Sequence, residues 1–187
     1  MPFAFLCVSQ DPSGDVYDGE WENGQRHGRG EYTGVNGDKY YGEWKDGKRD
    51  GKGVFTGVLH CQWTGLEGPD GAPLSITSSL HYEGDWKGGM RHGLGTCTFA
   101  CGDSYVGSFA NDSPDGCGTY TYSSDGFMSG AVFRGLWFEG RRHGWGVLTF
   151  LDGRRIEVRA RIGSAAPRGN VCVCIFLTRM FTIYVTG

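Results

Sequence analysis

Apolar and polar residues alternate along most of this chain with a period of two, the mark of half-buried β-strands. No stretch holds the three-four spacing of an amphipathic helix. YDGEW at 17–21 shows the pattern: Tyr17, Gly19 and Trp21 share one face of a strand, and Asp18, Glu20 and then Glu22 share the other. YYGEW at 40–44, YEGDW at 82–86, YVGSF at 105–109 and FRGLW at 133–137 repeat it. Behind these openings come glycine-rich segments: GQRHGRG at 24–30, GKRDGKG at 47–53, GMRHGLG at 89–95, PDGCG at 114–118 and GRRHGWG at 140–146. A second alternating stretch such as GEYTG, GTCTF, GTYTY or GVLTF follows, so each unit predicts a β-hairpin. NG at 36–37 and DG at 125–126 and 152–153 signal the turns into the next strand.

The openings at Tyr17 and Tyr40 are 23 residues apart, as are those at Tyr82 and Tyr105. A fixed period of this length means an array of stacked supersecondary units. WTGLE, starting at Trp63, reads as a degenerate copy, and half-units stand at FAFLCV upstream and at IEVRA from Ile156. The organisation expected is an N-terminal arm or half-repeat strand over 1–16, a repeat array over 17–153 with units starting at 17, 40, 63, 82, 105 and 133, and a tail over 154–187. The fold class is all-β: an elongated single-layer antiparallel sheet, each hairpin touching only its neighbours.

Side-chain columns sharpen this. On the second strands Tyr32, Phe55, Cys97, Tyr120 and Leu148 share one column, and Thr33, Thr56, Thr98, Thr121 and Thr149 the next. A threonine ladder suits a solvated face and the aromatic columns a buried one. The glycine between two aromatics leaves room for a neighbouring ring to lie over the backbone.

Composition adds three constraints. The 34 glycines stand beside 26 aromatics (6 Trp, 9 Tyr, 11 Phe) and 6 prolines, which rules out a collagen-like or disordered chain and places glycine at recurrent structural positions. Residues 1–153 carry 12 Lys+Arg against 20 Asp+Glu, a net −8, so the body lacks the basic face that nucleic acid requires. Seven cysteines without a CxxC pair argue against a zinc site or disulfide framework and for free thiols. The N-terminal MPFAFLCVSQD has neither the basic start nor the apolar length of a signal peptide, so a cytoplasmic chain is expected.

The RHG segments are the obvious place to look for chemistry. A phosphate loop needs G-x-x-x-x-G-K-[ST] before a helix, and neither is present. His27, His92 and His143 recur at equivalent places in separate units, so they should not converge on a metal. No nucleophile–base–orienter set breaks the repeat symmetry, so no catalytic residue is assigned and no cofactor is expected. The glycines read as turn and close-approach positions.

YDGEWENGQRHGRGEYTGVNG and YEGDWKGGMRHGLGTCTFACG resemble MORN repeats (membrane occupation and recognition nexus), and the resemblance covers about 17–153. The unit at 40 departs at Asp50, where histidine is usual, and the unit at 105 at Phe109, Asp112 and Pro114. The resemblance implies a non-enzymatic scaffold that binds other proteins, at a membrane or cytoskeletal structure. Runner-up readings are a regulatory module of a lipid-kinase or lysine-methyltransferase-like system, and a direct binder of anionic phospholipid.

Two sets of residues follow from these readings. Tyr17, Trp21, Tyr40, Trp44, Tyr82, Trp86, Tyr105, Phe109, Phe133 and Trp137 would line a groove for an extended or helical partner segment, if part of the aromatic face stays open. Arg26, Arg49, Arg91, Arg141 and Arg142 would form a basic rim able to touch lipid headgroups.

The C-terminal end breaks the code. Positions that hold Asp18, Glu20 and Glu22 in the first unit hold Arg134, Leu136 and Phe138 in the last, and Trp145 joins them. Leu136, Phe138 and Trp145 predict an apolar patch covered by the tail, by a second copy in a homodimer, or by a partner. The tail has 6 Arg against Glu157, a net +5, and its apolar run from Val171 to Val185 is broken by Arg179 and short of a membrane span; a capping strand, a membrane anchor and a disordered C-terminus all stay open, the first ahead of the second.

Overall fold

The computed structural model describes residues 5–61, 76–123, 128–160 and 174–177. Thirteen strands form one antiparallel sheet in chain order: β1 (Phe5–Gln10), β2 (Val16–Glu22), β3 (Gln25–Thr33), β4 (Lys39–Lys45), β5 (Lys48–Cys61), β6 (Ile76–Lys87), β7 (Met90–Phe99), β8 (Ser104–Ala110), β9 (Ser113–Thr121), β10 (Val132–Phe138), β11 (Arg141–Thr149), β12 (Arg155–Ala160) and β13 (Cys174–Leu177). There is no helix among the described residues.

Local chemistry sets each hairpin. Two consecutive residues with positive φ, Asn23–Gly24, Asp46–Gly47, Gly88–Gly89, Asn111–Asp112 and Glu139–Gly140, close β2–β3, β4–β5, β6–β7, β8–β9 and β10–β11. This is the tight turn whose twist matches paired strands, and glycine or a short polar residue adopts it at least cost. Between units a different loop recurs. The Gly34 amide donates to Asp38 O (2.8 Å) and Gly37 to Gly34 O (2.9 Å); Asp11–Asp15, Phe99–Asp103 and Phe150–Arg154 make the same pair of bonds. The same loop at 11–15 joins β1 to β2.

Register places the glycines in line. Gly19, Gly30, Gly42, Gly53, Gly84, Gly95, Gly107, Gly118, Gly135 and Gly146 pair in succession across ten strands, with Cys7 and Val158 at the two ends of the row. Over this row lie the tyrosine rings: a methyl built on Gly95 would sit 2.5 Å from the Tyr82 ring. Immediately beyond it every hairpin has a register shift, between Gly19 and Trp21 in the first and between Gly42 and Trp44 in the second. Facing each shift is the glycine of the RHG or RDG segment, Gly28, Gly51, Gly93 or Gly144, or Gly116 of the PDG segment, all with positive φ. These segments are therefore β-bulges.

Gly53 pairs directly with Gly84, so the unit at 40 abuts the unit at 82, and β5 and β6 continue as paired arms as far as Cys61 and Ile76. The degenerate unit expected from Trp63 opens within residues 62–75, which lie outside the described residues, and its last residues, from Ile76, belong to β6.

The core is one-sided. Tyr17, Tyr40, Tyr82 and Tyr105 stand edge-on between two other rings, one from their own unit and one from the next: Tyr17 is 5.3 Å from Trp21 and 5.2 Å from Trp44, and Tyr82 is 5.2 Å from both Trp86 and Phe109. The chain of contacts continues through Tyr105 and Trp137 to Phe133. Each edge-to-face pair contributes about 0.5–1.5 kcal/mol beyond area burial. Several ring polar atoms bond to backbone: Trp44 Nε1 donates to Gly30 O and Trp86 Nε1 to Gly53 O (3.2 Å each), while Tyr40 and Tyr82 hydroxyls donate to Glu43 O and Asp85 O (2.9 Å each).

Candidate functional site

Of the ten aromatic residues the sequence offers as a partner groove, nine are buried and Trp21, at the N-terminal end, is half-buried. Their contacts are with one another, so the rings build the fold and leave no open aromatic trough between them. The arginines roof this layer. Arg26 lies over Tyr17, Tyr32 and Trp44, Arg49 over Tyr40, Phe55 and Trp86, Arg91 over Tyr82 and Phe109, and Arg142 over Tyr122 and Phe133. The reason is register: Arg26, Arg49, Arg91 and Arg142 pair directly across the hairpin with Trp21, Trp44, Trp86 and Trp137 and point the same way. Arg91 is 3% exposed and donates to Asp112 O. Arg141 pairs with Phe138 on the opposite face and is exposed. The five arginines thus divide between two faces.

Burial also sets the ionisation of the ladder. Tyr17 and Tyr32 are pushed up to about 12, chiefly by desolvation, with a hydrogen bond to Asp15 adding to the shift at Tyr32. Tyr40, Tyr82, Tyr105 and Tyr120 are raised for the same first reason. The Arg49 guanidinium is lowered by burial. All of these shifts come from packing.

His27, His92 and His143 lie on three different strands, β3, β7 and β11. His27 Nε2 is 3.2 Å from Glu22 and its Nδ1 is 3.8 Å from Asp46, while His143 lies 5.9 Å from the Phe138 ring. Among the described residues no three His, Cys, Asp or Glu side chains stand close enough to hold a metal ion, and Cys7, Cys97, Cys101 and Cys117 are free thiols.

What remains open to solvent is the other face. There a groove of about 740 Å³ crosses the middle of the sheet between β3 and β8. Its floor is backbone at Gly42, Gly53, Gly84, Gly95 and Gly107, and its walls include Tyr41, Val54, Leu94, Val106, Glu43 and Lys52. Tyr41, Leu94 and Val106 are 60%, 65% and 52% exposed. Two of the wall groups are fixed: Glu43 accepts from the Lys52 amide at the bulge (3.3 Å), and Lys52 Nζ is 2.5 Å from Asp85 Oδ1. Burial raises Asp85, but bonds from Lys52 and the Leu94 amide outweigh it and hold the carboxyl below its usual range. Tyr41, Leu94 and Val106 are apolar residues at polar-face positions, a sequence signal for this groove that the stronger aromatic columns overshadow.

The C-terminal patch lies on this same face. Leu136, Phe138 and Trp145 are 40%, 44% and 54% exposed, and Arg159 stacks over Trp145 at 5.1 Å. The apolar run expected to cover them, Val171 to Val185, falls outside the described residues apart from β13, which pairs with β12. No helix among the described residues is long and apolar enough to cross a membrane.

A single-layer sheet of identical hairpins, locked by a glycine row under tyrosines and by bulge glycines, defines a repeat protein. The family model described as MORN repeat matches residues 17–39, 40–58, 82–104, 105–127 and 133–153, more than half of the chain, and the chain belongs to that family. The matched segments begin at the five aromatic openings and pass over 59–81. A comparison with curated proteins finds no match.

Proposed function

We propose that this chain is a non-enzymatic MORN-repeat scaffold that binds a protein partner on the face opposite its aromatic ladder, in the groove between β3 and β8. The observation that supports this is the division of labour between faces: the aromatics and four arginines are spent on internal packing, and exposed Tyr41, Leu94 and Val106 line a concave, glycine-floored strip. A backbone floor lets a chain approach closely, and apolar walls with fixed charges suit an extended segment carrying apolar residues. The same groove would serve a regulatory module of a larger enzyme system. The lipid-binding reading has less support, because Arg26, Arg49, Arg91 and Arg142 are stacked on rings.

The test is a partner recovered by proximity labelling with the full chain and then measured with purified components. Leu94→Glu and Val106→Glu, both exposed and therefore tolerated by the fold, should weaken binding about tenfold or more. Undiminished binding with both substitutions in place, or turnover of a substrate by the chain alone, would overturn the proposal.

A further inference from the structure

The groove face is not uniform along the array. At its N-terminal end Leu6 and Val8 are 79% and 65% exposed, and they pair with Glu20 and Asp18 of β2. Asp18 pairs in turn with Glu31 of β3, and both carboxylates are exposed. This end is apolar and acidic, with Arg29 as its cation among these strands. At the C-terminal end Leu136, Phe138, Trp145 and Val147 are exposed beside Arg134, Arg141, Arg155 and Arg159, against Glu139 and Glu157. This end is apolar and basic.

The last unit loses a structural group at the same place. In the units at 17, 40 and 82 a carboxylate in the bulge accepts a backbone amide, Glu20 from Arg29 (2.9 Å), Glu43 from Lys52 (3.3 Å) and Asp85 from Leu94 (2.9 Å), and the unit at 105 has the polar Ser108 there. Leu136 stands there in the last unit and points its side chain over Gly144. A repeat that gives up its own hydrogen-bonding carboxylate for an exposed leucine, beside an exposed tryptophan, has departed from its local rule. Asp18, Glu31, Arg134 and Arg141 make no ion pair among the described residues.

The two ends are complementary in charge and alike in apolar content, and they belong to the same molecule. An isologous pairing of two C-terminal patches would face arginine with arginine, which charge forbids. We infer that copies of this chain associate end to end through their groove faces, Leu6, Val8, Asp18 and Glu31 of one copy against Leu136, Phe138, Trp145, Arg134 and Arg141 of the next. The contact yields a dimer where it is reciprocal and a longer chain where it is not.

Sedimentation of the full chain under reducing conditions, at low and raised salt, tests this with two charge-reversed variants. Asp18→Lys with Glu31→Lys makes both ends basic, and Arg134→Glu with Arg141→Glu makes both acidic. Wild type should associate, more weakly as salt rises. Each variant alone should associate about tenfold less tightly or worse, and a one-to-one mixture should recover most of the loss, because its opposite ends again match. A wild type that stays monomeric at all concentrations overturns the inference, whether its own tail covers the patch or nothing does. Association that ignores both reversals overturns it as well. So does a monomer that pellets with phosphatidylserine vesicles and loses this with Arg134→Glu and Arg141→Glu, which would assign the patch to a membrane.

Discussion

The two faces of this sheet have opposite histories. On the ladder face the same groups recur from unit to unit: a tyrosine or phenylalanine over a glycine pair, a tryptophan or phenylalanine beside it, and an arginine on top except where Pro114 replaces it. On the groove face the corresponding positions change in every unit, from Asp18 to Tyr41, Glu83, Val106 and Arg134. A residue on the ladder face touches rings from two units, so a change there is felt across a boundary. A residue on the groove face touches water and its strand neighbours, so it is free to vary. Constancy marks what builds the array, and variation marks what an array can offer to partners.

Paired substitutions on neighbouring strands probe that contrast. The largest effect is expected from Trp86→Ala, which removes a buried ring in contact with Tyr40 and Tyr82 and the bond to Gly53 O. About 3–5 kcal/mol of unfolding free energy should be lost. Leu94→Ser on the groove face should change it by less than about 0.5 kcal/mol. Urea denaturation measures both, and equal losses would show that the faces do not divide the work.

Alkaline titration gives the next effect. Unfolded tyrosine loses its proton near pH ~10, while Tyr17 and Tyr32 in the fold hold theirs to about 12. The folded state therefore keeps protons that the unfolded state releases. The stabilisation is whole below pH ~10 and is lost as pH rises through the folded values. Phenolate absorbance from the buried tyrosines should appear late and together with loss of the β-sheet signal. Full ionisation of all nine tyrosines near pH 10 with the sheet intact would contradict the buried ladder.

The smallest effect separates two adjacent arginines. Arg142 stacks on Phe133 at 4.7 Å, whereas Arg141 faces the other way. Arg142→Met should cost about 1 kcal/mol and Arg141→Met close to nothing, read as a shift in melting temperature for the first variant alone.

Period, hairpins, the two faces and the structural role of the RHG glycines were all legible in the sequence, because alternation and turn chemistry are local. Even the division of Arg141 from Arg142 was implicit in strand parity once the two-residue turn at Glu139–Gly140 was placed. What only the tertiary structure decided depends on register between strands distant in sequence. Gly53 meets Gly84, so the unit at 40 adjoins the unit at 82. Each tyrosine is closed in by the large ring of the following unit, so a single layer buries its own aromatics and the expected aromatic groove fills with rings and guanidinium groups. The open groove then falls to the face that looked merely solvated, since exposure is settled by what neighbours cover, and neighbours are fixed by pairing rather than by composition.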